Sequence, residues 1–115
     1  RNKRSITLNL KDARAQQIAR RLALEADVVI ENYRPGVLEK WGLGYAQLKA
    51  LNPATIMVRL SGYGQSGPMR DKPGFGAIGE SMGGIRFVSG HPDRPPVRIG
   101  ISIGDSIAAL HGVIG

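Results

Sequence analysis

The chain has 115 residues, of which 42% are hydrophobic and 22% charged, and its 16 Lys and Arg outnumber nine Asp and Glu to leave a formal charge of +7. That balance belongs to an ordered globular chain of one domain, and the lack of cysteine excludes disulfides, thiolate metal sites and a cysteine nucleophile within these residues. No apolar run approaches the roughly 18–20 residues of a membrane span, and the basic start Arg1-Asn2-Lys3-Arg4 leads into no apolar signal segment, so the expectation is a soluble, cytoplasmic α/β chain.

Ser5-Ile6-Thr7-Leu8-Asn9-Leu10 alternates apolar and polar residues at period two, which predicts a half-buried strand. From Asp12 to about Glu25 the spacing turns helical: Ala15, Ile18, Ala19 and Leu22 share a face, and Asp12 is placed to cap the helix. Val28-Val29-Ile30 predicts a parallel strand covered on both faces. Pro35-Gly36 breaks the chain, and a short helix is expected through Val37, Leu38 and Trp41. A second helix runs from Tyr45 to Leu51, closed by Asn52-Pro53, and Thr55–Leu60 is the third predicted strand. Strands alternating with helices argue for right-handed βαβ units and a parallel sheet.

From Ser61 the composition shifts to glycine-rich loop, with a helix expected from Ala77 to about Val88. A turn-rich patch over His91–Pro96 follows, and Asp105 heads a last expected helix, Ser106 to Ile114. The chain opens without methionine and closes on the apolar Leu110-His111-Gly112-Val113-Ile114-Gly115, whereas domains usually end on exposed polar residues. The ends read as those of an internal piece of a longer protein; a complete small domain after processing is the alternative.

Four features could carry chemistry. Gly62-Tyr63-Gly64-Gln65-Ser66-Gly67 has the glycine spacing of a dinucleotide fingerprint and follows a strand. That mechanism needs a helix to open at the last glycine and an acidic residue about 20 positions on. Asp71, Pro73 and Gly74 stop any helix within a turn, and no acidic residue stands where one is required. The early cluster Lys3, Arg4, Lys11, Arg14, Arg20 and Arg21 has the charge of a nucleic-acid footprint. Aromatics, however, make up only 5% of the chain and no nucleic-acid-binding pattern fits it. Solvated helix faces account for most of these cations, and a phosphorylated small molecule would use a few equally well.

The third feature, Glu31-Asn32-Tyr33-Arg34-Pro35-Gly36, follows a predicted strand, and open parallel sheets bind ligands beyond the carboxyl ends of their strands. An amide, an aromatic ring and an arginine there could seat a nucleotide; a polar loop closed by Pro-Gly fits the pattern equally well. The fourth, Asp105, starts an apolar helix. Spacing favours a helix N-cap, a role compatible with an ionised nucleophile. His91 and His111 have no partner at metal-ligand spacing, no serine sits in a nucleophile elbow, and no metal site is expected.

Taken in order, the blocks Asn2–Lys11, Ala26–Val37, Gly42-Leu43-Gly44-Tyr45, Leu51-Asn52-Pro53, Ser61–Pro68 and Gly104-Asp105-Ser106 resemble the class III coenzyme A-transferases, the group of formyl-CoA transferase and carnitine CoA-transferase. The resemblance runs almost from end to end. It implies an α/β fold with a Rossmann-like parallel sheet and flanking helices, residues 1–115 being a fragment of the large CoA-binding domain of a longer, interlocked homodimer. It implies coenzyme A and acyl-CoA as substrates, exchanged with a small carboxylic acid, and no metal. Asp105 would be the catalytic aspartate, which attacks the thioester to form a mixed anhydride and then an aspartyl-CoA thioester. Leu8, Leu10, Lys11, Asn32, Tyr33, Val37, Lys40 and Trp41 fall on positions that line the family's CoA site. Lys11, Arg34 and Lys40 suit CoA's phosphates, which gives the charge surplus a use.

The same family includes α-methylacyl-CoA racemases, in which a histidine partners this aspartate; here the position holds Phe75. Proton abstraction from two faces of a carbon needs two acid–base groups, so transferase is favoured over racemase. Gly76, where many members carry aspartate, is a further departure. A non-catalytic basic binding domain is the third reading, marked by steeply salt-dependent nucleic-acid binding.

Overall fold

The computed structural model describes residues 2–115, which form two compact units, one through Val58 and one from Arg59. The first holds α1 (Ala13–Glu25), β1 (Val28–Glu31), α2 (Val37–Lys40), α3 (Tyr45–Leu51) and all but the last residue of β2 (Ile56–Arg59); the second holds α4 (Gly76–Met82) and α5 (Ile103–Ile114). β1 and β2 pair in a two-stranded parallel sheet, so the architecture is α/β. No helix among the described residues is long and apolar enough to cross a membrane.

In the first unit, Asp12 caps α1 as expected: its Oδ1 accepts the Arg14 amide at 2.8 Å. α1 packs on α3, and Asn52, the C-cap of α3, donates its Nδ2 to the Leu24 carbonyl at 3.3 Å. The core is a trio of leucines, Leu38, Leu43 and Leu48, against which Ala19, Ala23 and Leu24 of α1, Val29 of β1 and Met57 of β2 pack. Leu38 and Leu43 are brought together by a helix-ending reversal. The Leu43 amide reaches the Leu38 carbonyl (2.9 Å) and the Gly42 amide reaches Glu39 (3.1 Å), with Gly42 at φ +69°. This is a Schellman motif, whose two outer residues make an apolar contact.

Two strand expectations are corrected. Residues 5–10 form no strand among the described residues; their alternation is present, but a ladder needs a hydrogen-bonded partner and none of the described strands pairs with them. β1 is also not covered on both faces. Val29 enters the leucine core, while Val28 and Ile30 are 44% and 69% exposed, because the packed helices occupy only one side.

In the second unit the chain after β2 stays irregular until Gly76, and no helix opens at Gly67, so the triple-glycine stretch lacks the element a dinucleotide site requires. Two of its neighbours have a packing role instead: the backbones of Gly62 and Gly74 touch so closely that a Cβ on Gly62 would run into the Gly74 Cα. α4 is shorter than expected, ending at Met82 instead of near Val88. The Gly84 amide bonds to Ser81 (3.2 Å) and the Ile85 amide to Glu80 (3.1 Å), with Gly84 at φ +80°, a second Schellman reversal. α5 starts three residues earlier than expected. Ser102 sits at φ −78°, ψ 62°, an inverse γ-turn closed by the Ile103 amide on the Ile101 carbonyl at 2.9 Å, and it launches the helix at Ile103.

Candidate active site

Because α5 begins at Ile103, Asp105 is its third residue and not its N-cap; that position belongs to Ser102, whose side chain makes no capping bond. An acidic side chain in the first turn still interacts favourably with the free amides there. Asp105 is exposed, and among the described residues its carboxylate has no hydrogen-bond or ion-pair partner. α4 packs on α5 through small residues: a Cβ on Gly104 would stand 3.5 Å from the Gly76 carbonyl oxygen and 3.9 Å from Glu80 Cγ. The same packing sets Gly76 against the carboxylate, and a Cβ there would lie 3.6 Å from Asp105 Oδ1. Phe75, the N-cap of α4, is 81% exposed beside it.

The other candidate residues lie in the first unit. Glu31, buried at the end of β1, accepts the Tyr33 amide on Oε2 at 2.7 Å and so shapes the loop. Pro35-Gly36 closes it as a type II turn, with Gly36 at φ +84°, ψ −7° and the Val37 amide on the Arg34 carbonyl at 3.1 Å. The turn starts α2, whose C-cap, Trp41, meets Tyr33 edge-to-face at 5.5 Å and 86°. Trp41 and Leu10 both pack against the leucine core, and the Leu10 carbonyl accepts Gln16 Nε2 at 2.9 Å. Leu8 and Val37 are half-buried, whereas Lys11, Asn32, Arg34 and Lys40 are exposed.

Comparison with known proteins settles what kind of chain carries these features. The model of CoA-transferase family III matches residues 1–115. The chain belongs to CoA-transferase family III. It is 60% identical over 115 residues to the succinyl-CoA–D-citramalate CoA-transferase of Chloroflexus aurantiacus, covering 100% of this chain and 29% of that protein. It is 42% identical over 110 residues to the succinyl-CoA:glutarate CoA-transferase of Mus musculus, covering 96% of this chain and 25% of that one. Among solved structures it is similar to a CAIB/BAIF family protein from Brucella suis, with a TM-score of 0.84 and 40% identity over 97% of this chain and 32% of the other. The chain thus spans less than a third of the length of these relatives.

For this family III chain, the structure unites Tyr33 with Trp41, and joins Arg34 to Val37 through the turn. Asp105 stands in the second unit. The sequence reading missed one pair of charged residues: Glu80, buried in α4, and Arg86, whose Nε donates to Glu80 Oε2 at 3.2 Å. The signal for it was Gly83-Gly84, the pair that ends α4 and turns the chain back over Glu80. No cluster of three or more His, Asp or Glu able to hold a metal ion occurs among the described residues.

Proposed function

We propose that the protein moves coenzyme A from an acyl-CoA thioester to a carboxylic acid, with Asp105 as nucleophile and residues 1–115 as part of its CoA-binding α/β domain. One Asp105 oxygen attacks the thioester carbonyl; a C–O bond forms, the C–S bond breaks, and CoA leaves as thiolate from a mixed anhydride. The thiolate attacks the aspartyl carbonyl, forming a C–S bond and expelling the donor as a carboxylate. The acceptor carboxylate attacks this aspartyl thioester, and the thiolate then takes the acyl group from the new anhydride and frees Asp105. No proton is gained or lost overall. The enzyme's part is to split one exchange into short covalent steps.

The observation that carries this reading is the unpartnered Asp105 carboxylate beside the bare Gly76. A carboxylate engaged in an ion pair would need to be released before it could attack. The relatives with succinyl-CoA in their names support the donor class. Phe75 offers no exchangeable proton, so racemisation, which needs a second acid–base group, is not favoured. For CoA itself, the Tyr33–Trp41 ring pair supplies an aromatic surface for the adenine. Leu8, Leu10, Asn32 and Val37 complete its lining, and the exposed Lys11, Arg34 and Lys40 supply cations for its phosphates. The resemblance also implies a homodimer of the full-length protein, which light scattering reads directly.

Intact-mass measurement on the full-length protein, after brief incubation with acyl-CoA thioesters, tests the covalent route. A CoA-sized or acyl-sized adduct on the parent and none on Asp105→Asn is the expected result. An adduct that persists on Asp105→Asn removes Asp105 from the nucleophilic role.

A further inference from the structure

Gly76 is a glycine that its own fold does not require. Its φ is not in the left-handed region, so an L-residue fits the backbone. A Cβ would meet nothing but Asp105 Oδ1, at an ordinary van der Waals 3.6 Å. Gly62 differs, since a Cβ there would run into the Gly74 backbone. Gly79, one turn on, is just as bare but faces nothing, whereas the space left open at Gly76 faces a single group, the Asp105 carboxylate.

We propose that Gly76 determines acyl selectivity by keeping that space free for substituents on the carbon next to the reacting carbonyl; this rests on Asp105 being the nucleophile. When Oδ of Asp105 is bonded to an acyl carbon, the adjacent carbon and whatever it bears lie within a few ångströms of the same oxygen. A linear chain leaves along one direction and can turn away from α4. A branched carbon fills two directions at once, and a methyl group on residue 76 would compete for one of them. Gly76 thereby admits acyl groups branched at this carbon, both from donor and to acceptor, as well as linear ones.

The test compares Gly76→Ala with Gly79→Ala and the parent, all as full-length protein. Gly79 lies one turn further along α4, and a Cβ there meets nothing within 4 Å, so its variant controls for helix stabilisation alone. Rates of adduct formation and steady-state kcat/KM are read with acetyl-, propionyl- and succinyl-CoA as linear donors and with isobutyryl- and methylmalonyl-CoA as branched ones. Gly76→Ala is expected to lower kcat/KM for the branched donors by about tenfold or more relative to the linear ones, the effect of one misplaced methyl group, while Gly79→Ala leaves the ratio unchanged. Equal losses for both classes, an unchanged ratio in Gly76→Ala, or a parent that accepts no branched donor would each overturn the proposal. Adducts on Asp105 with an unchanged ratio refute the role of Gly76 alone. Adducts that survive Asp105→Asn remove Asp105 from the nucleophilic role, and this inference falls with it.

Discussion

Arg86 Nε donates to Glu80 Oε2 at 3.2 Å, with 4% of the Glu80 side chain and 25% of the Arg86 side chain exposed. Taking one charge from such a pair strands the other in a poorly hydrated site, which is why breaking a buried pair costs more than the pair contributes. Glu80→Leu is expected to destabilise the full-length protein by about 3 kcal/mol, the low end of the range for a broken buried pair, since Arg86 keeps some contact with water. Glu80→Leu combined with Arg86→Met should recover most of that loss in urea unfolding. A single variant within the scatter of the parent would show that the pair carries no net stability.

The glycines divide into two classes with opposite expected signs. Gly42 ends α2 at φ +69°, with the Arg20 guanidinium against the place a Cβ would take, and Gly36 closes its turn at φ +84° in open space. Alanine at either must adopt a left-handed conformation, costing about 1–2 kcal/mol. Gly79, in α4 at negative φ with nothing nearby, should behave oppositely, and Gly79→Ala is expected to stabilise by about 0.5–1 kcal/mol. Thermal unfolding of the three variants checks the signs, and stabilisation by Gly42→Ala would contradict the reversal described for α2.

What was legible in the sequence was chemistry acting within a few residues of itself. Asp12 caps α1, Pro35-Gly36 forms its turn, and Asn52 closes α3, because each satisfies its own neighbours' amides or sets its own φ. Residues 5–10 and the outer face of β1 were misjudged because a ladder partner and a covering layer come from elsewhere in a fold, and alternation only states readiness for them. The start of α5 was missed since an inverse γ-turn at Ser102 has no strong residue preference. Asp105 was legible as a candidate and the resemblance set position 75 beside it, but the open space that Gly76 leaves against its carboxylate was not. Gly76 lies 29 positions earlier, and only the packing of α4 on α5 joins them.

At α1, the cap and the ion pair of one residue can be separated. Asp12 accepts the Arg14 amide at 2.8 Å and also stands 3.6 Å from the Arg14 guanidinium, which is 89% exposed. Exposed pairs contribute little, whereas a cap satisfies a free amide. Asp12→Ala should cost about 1 kcal/mol, Asp12→Asn should retain most of the cap, and Arg14→Gln should change stability by less than about 0.5 kcal/mol. If Arg14→Gln proved as costly as Asp12→Ala, the charge pair and not the cap would hold the helix start.

The Tyr33–Trp41 pair makes the CoA assignment testable apart from the chemistry at Asp105. Rings 5.5 Å apart and at 86° form a corner whose exposed Tyr33 face can stack on adenine while Trp41 anchors it to the leucine core. Stacking of a base on an aromatic residue contributes about 1–3 kcal/mol, so Tyr33→Ala should weaken CoA binding by roughly tenfold in calorimetry on the full-length protein. The loss should vanish with pantetheine, which lacks the nucleotide. Lys11→Gln, Arg34→Gln and Lys40→Gln should each weaken CoA and flatten its dependence on salt, again sparing pantetheine. Tyr33→Ala that weakened both ligands equally would mean the ring supports the loop built on Glu31 and Pro35, and that adenine binds elsewhere. If Asp105→Asn in the same experiment retained CoA affinity while losing the adduct, binding and covalent transfer would be assigned to separate residues.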